Sequence, residues 1–173
     1  MGESISVHAF LPASPQAIFE AWLDAKKHAA MTGAATSGDA AMGGTFSAWD
    51  GYATSTTILV EPNARIVQRW RTSDFGPDDP DPTLEILLEG SDTETRITIN
   101  HADLPANQGQ GYLDGWREYY FEPMRRYFEG LHVDVVKRKA SAPKKKAATK
   151  KAAPKKKAAP KKKAAPKKKA APK

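Results

Sequence analysis

Residues 111–130, GYLDGWREYYFEPMRRYFEG, constrain the fold more than any other stretch of this chain. At helical spacing Leu113, Trp116, Tyr120, Met124, Tyr127 and Leu131 share one side, and Tyr119 and Phe128 widen it. Asp114, Arg117, Glu118, Glu122, Arg125 and Arg126 form the opposite, solvated side. Asp114 or the glycines before it start the helix, and Gly130 suits its end. Pro123 is the complication. It donates no hydrogen bond to the carbonyl four residues back and its ring crowds that turn, so a kink is expected there. A helix with so many large aromatic side chains has to lie against something broad and apolar. It either buries them as a core element or closes over a ligand cavity.

The rest of the chain supplies that surface. Residues 4–10 alternate, with Ile5, Val7 and Ala9 on one face of a first strand. Ser14-Pro15 then reads as an N-cap followed by proline at the first helical position, opening a helix over residues 15–23 with Ile18, Phe19, Trp22 and Leu23 inward. Asp24 restarts a short helix through Met31, ended by Gly33. Residues 34–40 make a weak strand, and Gly43-Gly44 permits a tight turn or a close backbone approach. Residues 45–49 and 52–60 pair across the hairpin signal Asp50-Gly51. Residues 64–72 follow, with Ile66, Gln68 and Trp70 on one face. After a proline- and aspartate-rich loop, residues 83–89 turn Leu84, Ile86 and Leu88 inward, and residues 93–101 align Ile97, Ile99 and His101. Successive hairpins argue for an antiparallel sheet, one face of which the long helix has to cover. The expected class is α+β: a helix-grip of six to seven antiparallel strands curved around a C-terminal helix, with two short helices after the first strand.

Charge divides the chain. It holds 27 basic and 20 acidic residues; 18 of the basic ones and none of the acidic ones lie from Lys137 onward, so residues 1–136 carry a net charge near −11. The expected organisation is a single domain over residues 1–136 and a disordered Lys/Ala/Pro tail over residues 137–173. Cysteine is absent, which excludes disulfides and thiolate chemistry. No apolar run reaches the roughly 18 residues a bilayer requires, and the opening MGESISVHAF is not expected to act as a secretory signal. A cytoplasmic protein is expected, associated with the nucleoid through its tail.

Local strings resemble a known family. They are Pro12-Ala13-Ser14-Pro15 with Ile18-Phe19 and Ala21-Trp22, then Gly43-Gly44-Thr45-Phe46, Gly51-Tyr52, Ile66-Val67-Gln68-Arg69-Trp70-Arg71 and Leu104-Pro105. Gly115-Trp116, Tyr119-Tyr120, Pro123-Met124 and Tyr127-Phe128 complete the set. In order and spacing these strings resemble the START-like (SRPBCC) superfamily, and within it the family named for activators of the Hsp90 chaperone's ATPase. The resemblance implies a helix-grip fold with a pocket for an apolar or lipid-like ligand. Chaperone activation goes, in that family, with larger proteins that add an N-terminal domain.

The wall of such a pocket is assigned to Trp22, Phe46, Gln68, Trp70, Ile86, Ile97, Ile99, His101, Trp116, Tyr120 and Met124. His101 and Gln68 are its polar candidates, each equally readable as a satisfied core group. His8, His28, His101 and His132 show no paired ligand spacing, so neither a metal nor another cofactor is expected. Phosphate-cradling and nucleophile-elbow patterns are missing. The acidic loop from Asp74 to Asp81 reads as solvated. These readings favour a non-catalytic binder of a small apolar molecule. The alternatives are a protein-interaction module acting on a chaperone and a hydrophobic-pocket enzyme.

The tail repeats Lys-Lys-Lys-Ala-Ala-Pro. Its lysines Lys144, Lys145, Lys146, Lys155, Lys156, Lys157, Lys161, Lys162, Lys163, Lys167, Lys168 and Lys169 come without aromatic residues. It resembles the tails of linker histones and histone-like bacterial proteins. Such a segment neutralises phosphates without reading sequence, so salt-sensitive, non-specific DNA or RNA binding is expected. A solubilising role, or rest on the acidic domain, is a second reading, and association with an anionic membrane surface a third.

Overall fold

A computed structural model describes the backbone of residues 2–141 and the side chains through residue 131. The tail lysines from Lys144 onward lie outside the described residues. Seven strands form one antiparallel sheet in the order β1-β7-β6-β5-β4-β3-β2. They are β1 (Glu3–Leu11), β2 (Thr36–Gly38), β3 (Thr45–Ala48), β4 (Ala53–Glu61), β5 (Arg65–Thr72), β6 (Thr83–Gly90) and β7 (Thr95–Leu104). Two short helices, α1 (Pro15–Leu23) and α2 (Ala25–Thr32), follow β1. The expected α+β helix-grip class is the one observed.

The helical caps follow the local chemistry. The Ser14 hydroxyl accepts from the Ala17 N–H at 3.2 Å with Pro15 opening the helix, and the Asp24 carboxylate accepts from the Lys27 N–H at 2.8 Å. Gly33 ends α2 in the left-handed region at φ 76°. Between β3 and β4 the chain reverses over Asp50 and Gly51, at φ 52° and 92°, the pair of positive angles a type I′ turn requires. Trp49 just before them is also left-handed, at φ 50°. That conformation is uncommon for so bulky a side chain, and it turns the indole across the sheet end.

Register aligns the inward side chains into rows. Thr57, Gln68, Leu84, His101 and Ile5 are successive partners across five strands, and Ile66, Ile86, Ile99 and Val7 form the adjoining row. These rows pack against Ile18 and Trp22 of α1, Met31 of α2 and the C-terminal helical segment in one apolar core.

The C-terminal helix departs from the expectation in two ways. It is continuous over α3 (Gly109–Gly115), a π-helical turn (Trp116–Phe121) and α4 (Glu122–Ser141). In the π turn the Glu122 N–H donates to the Arg117 carbonyl, five residues back. This wide turn directly precedes Pro123, where the α-helical ladder would lose a donor. The buried stripe shifts accordingly to Trp116, Tyr120, Phe121, Met124 and Phe128, whereas Tyr119 and Leu131 are exposed. The helix also continues past Gly130. An exposed mid-helix glycine costs only about 1 kcal/mol, so it does not force an end.

Candidate functional site

A cleft of about 580 Å³ opens at the end of the sheet where β4 and β5 meet the C-terminal helical segment. Its walls are Trp49, Tyr52 and Ala53 from the β3–β4 turn, Trp70 from β5, and Asp74 from the loop after β5. Asn107 and Gln108 precede the helix, and Gly111, Tyr112, Gly115, Trp116, Tyr119 and Tyr120 come from it. Seven of these thirteen side chains are aromatic, which makes the lining predominantly apolar and stiff. Tyr52 and Tyr119, 42% and 55% exposed, stand at the mouth, while Trp70, Trp116 and Tyr120 are buried at the back.

Polar contacts fix the walls. The Tyr112 and Thr72 hydroxyls lie 2.8 Å apart, and the Tyr52 hydroxyl donates to the Asp74 carboxylate at 2.5 Å. Burial and that carboxylate push the Tyr52 phenol up to about 12, and burial alone also raises Tyr120. Burial raises Tyr112 as well, so Tyr52, Tyr112 and Tyr120 are neutral near pH 7. From β1, Glu3 reaches across to accept from the Asn107 N–H at 2.7 Å and the Gly109 N–H at 2.6 Å. It thereby pins the segment carrying Gln108 and starts α3. A Cβ at position 109 would lie 2.6 Å from that carboxylate, so a larger residue there would have to displace the Glu3 side chain from these contacts. The same two hydrogen bonds hold the Glu3 carboxyl below its usual range.

Behind the cleft the aromatic rings continue inward. Trp116 lies 4.6 Å from Tyr120 and 5.5 Å from Trp70 between ring centroids, and Trp22 stacks on Tyr120 at 5.4 Å. Trp49 meets Tyr120 edge-on at 4.9 Å. His101, fully buried, accepts from the Trp116 indole N–H through Nδ1 at 3.4 Å, and its Nε2 has no partner among the described residues. Burial lowers its pKa to about 3, so the ring is neutral. Gln68 accepts from the Trp22 indole N–H at 3.3 Å and donates to the Thr57 hydroxyl at 3.0 Å. Thr57 in turn donates to the Ala40 carbonyl at 2.9 Å. The Gln68 amide is thus engaged by protein groups at both ends.

The eleven side chains assigned from sequence separate into three groups. Trp70, Trp116 and Tyr120 line the cleft. Trp22, Phe46 and Gln68 surround a small enclosed space of about 10 Å³, together with Trp70 and Tyr120. Ile86, Ile97, Ile99, His101 and Met124 are wholly buried in the core and line neither space. Sequence reasoning missed Trp49, Tyr52, Asp74, Gln108 and Tyr112, which come from turns and helix ends that carry no periodic signal. It also missed His28. This residue is buried on α2, donates through Nδ1 to the Trp22 carbonyl at 3.0 Å and faces Phe46 at 4.8 Å. Its three-residue spacing to Met31, on the same inward side, was the available clue. Among the described residues, no three His, Cys, Asp or Glu side chains converge as a metal site would require, and no helix is long and apolar enough to cross a membrane.

Comparisons with known proteins agree with this architecture. The human activator of 90 kDa heat shock protein ATPase homolog 1 is 25% identical over 115 residues, covering 66% of this chain and 34% of that protein. This chain thus spans about a third of the length of the curated relatives it matches. An HSP90 activator from Plasmodium falciparum has the same fold at a TM-score of 0.63 and 22% identity, covering 70% of this chain and 92% of that one. CalU16 from Micromonospora echinospora superposes at 0.62 with 18% identity, covering 79% and 83%. The family described as activator of Hsp90 ATPase homolog 1-like protein matches residues 12–129, from the loop before α1 to the penultimate residue of the aromatic stretch. With more than half of its length matched, the chain belongs to that family.

Proposed function

We propose that the domain is a non-catalytic binder of a small, largely apolar molecule held in the aromatic cleft. The observation that carries this reading is the cleft itself: about 580 Å³ walled by seven aromatic side chains, within the size range of small-molecule sites. Its lining offers phenols, amides and one carboxylate, with no activated nucleophile and no histidine. Titration with the neutral fluorophore N-phenyl-1-naphthylamine tests it. Saturable uptake is expected, with quenching of tryptophan emission from Trp49, Trp70 and Trp116. Tyr119→Ala should weaken uptake several-fold while leaving stability within about 0.5 kcal/mol, because this ring is exposed. Unsaturable uptake that ignores Tyr119 would defeat the proposal.

A second reading is favoured by the family match and the 25% identical human relative: an interaction module that modulates a chaperone ATPase through the domain surface. Stimulated ATP hydrolysis by a purified 90 kDa heat shock protein, unaffected by Tyr119→Ala, would support it over the first. For the lysine-rich segment after Ser141, the composition supports non-specific association with nucleic acid, resembling a histone-like tail.

A further inference from the structure

The cleft's ligand can be specified further by its charge. Among the described residues that line the cleft, Asp74 is the only charged side chain, and no lysine or arginine is among them. Its carboxylate accepts from Tyr52 at 2.5 Å, and among the described residues it has no ion-pair partner. The nearest arginine in sequence is committed elsewhere. Arg71 pairs with Asp81 at 2.7 Å, donates to the carbonyls of Asp79 and Gly76, and lies over the Phe75 ring. Its charge is absorbed within the loop. The cleft therefore presents a fixed negative charge at the rim of an aromatic enclosure whose ring faces are themselves electron-rich. Trp, Tyr and a carboxylate around one space are the elements that hold an ammonium ion, through cation–π attraction and direct charge pairing. An anionic ligand would meet repulsion from Asp74 and from the net −11 of residues 1–136.

We infer that the cleft selects an organic cation: an apolar or aromatic body bearing an alkylated ammonium group, with the body against Trp70, Trp116 and Tyr120 and the ammonium toward Asp74 and Tyr52. Tyr52 positions the carboxylate by donating to it. Asn107 and Gln108 leave the opposite rim polar but uncharged. This inference rests on the cleft being the ligand site, and its test separates the two claims.

The probes are (2-naphthylmethyl)trimethylammonium and its neutral isostere, in which a quaternary carbon replaces the nitrogen. Both are titrated into the full chain while the indole N–H resonances of its tryptophans are followed. The lysine-rich tail repels the cation, so retention of the cation cannot arise there. The wild-type protein should bind the cation about tenfold more tightly than the isostere. Asp74→Asn, which keeps the shape, should remove most of that preference without changing affinity for the isostere. Tyr52→Phe should reduce the preference by a smaller factor, because the carboxylate remains but loses its anchor. Equal binding of both probes, insensitive to Asp74→Asn, would overturn the cation inference and leave the apolar cleft standing. If neither probe shifts any indole resonance, both claims fall.

Discussion

His101 and His28 are neutral rings held where a charge cannot be hydrated. Each has an Nε2 without a partner among the described residues, and burial lowers the pKa of both, that of His101 to about 3. A histidine in the unfolded chain takes its proton near 6.5. Between these values the unfolded chain binds the extra proton, so stability falls as pH drops from about 6.5 towards 3. The slope is up to about 1.4 kcal/mol per pH unit for His101, and His28, lowered by burial too, acts in the same direction. Above 6.5 both states hold neutral histidine and the effect vanishes. Urea midpoints at pH 7.0 and 5.0 check this, a window above the range where lowered carboxylates such as Glu3 and Glu85 begin to protonate. The midpoint should fall on acidification, and by less in His101→Gln. A midpoint unchanged across that interval would mean that neither ring is held neutral. Met124 illustrates the opposite, apolar limit. With no exposed surface, it should cost about 2–5 kcal/mol when cut to alanine.

At the scale of elements, the π turn is what places five aromatic or sulfur-bearing side chains of one helix in the core. On a regular α-helix a five-residue step from Trp116 to Phe121 overshoots a 3.6-residue turn by about 0.4 of a turn, which would carry Phe121 off the buried side. Here both are buried, at 2% and 4% exposure. Phe121→Ala should therefore cost about 3–5 kcal/mol, whereas the neighbouring Tyr119→Ala should be nearly neutral. Paired thermal unfolding of the two variants decides it. Equal losses would mean that the helix is regular and its stripe differently phased. The same turn explains what was legible in the sequence. The strands were, because a two-residue period survives burial, as Leu84, Ile86 and Leu88 show. So were the helix starts at Ser14 and Asp24, and the reversal at Asp50-Gly51, since each depends on side chains within four residues of one another. Phe121 was not, because a five-residue step onto the buried side needs the π turn, which regular helical spacing does not anticipate. Nor was the cleft, because Trp49, Tyr52, Asp74 and Tyr112 meet only through the pairing of β4 with β5 and the docking of α3.

The whole molecule joins an acidic domain to a lysine-rich segment, and these have opposite consequences for a polyanion. Residues 1–136, near −11, repel phosphate; the segment after Ser141 carries lysines in runs of two or three and no acid. Any affinity for DNA, as proposed for this segment, would then come from the lysines alone and be purely electrostatic, since no aromatic residue accompanies them. If on the order of ten phosphates are neutralised, log K against log salt should have a slope near −9, a loss of about a hundred-thousandfold between 50 and 200 mM salt. Duplexes of unrelated sequence should bind alike. Fluorescence anisotropy with the full chain and with a chain ending at Ser141 measures this, and the shorter chain should not bind. Because Asp74 and the cleft belong to the acidic domain, the naphthylmethyl cation should bind equally with and without saturating DNA. Tighter cation binding in the presence of DNA would mean that the lysines otherwise occupy the carboxylates that hold the cation. Binding by the shorter chain would place the polyanion site on the domain, against the sign of its own charge.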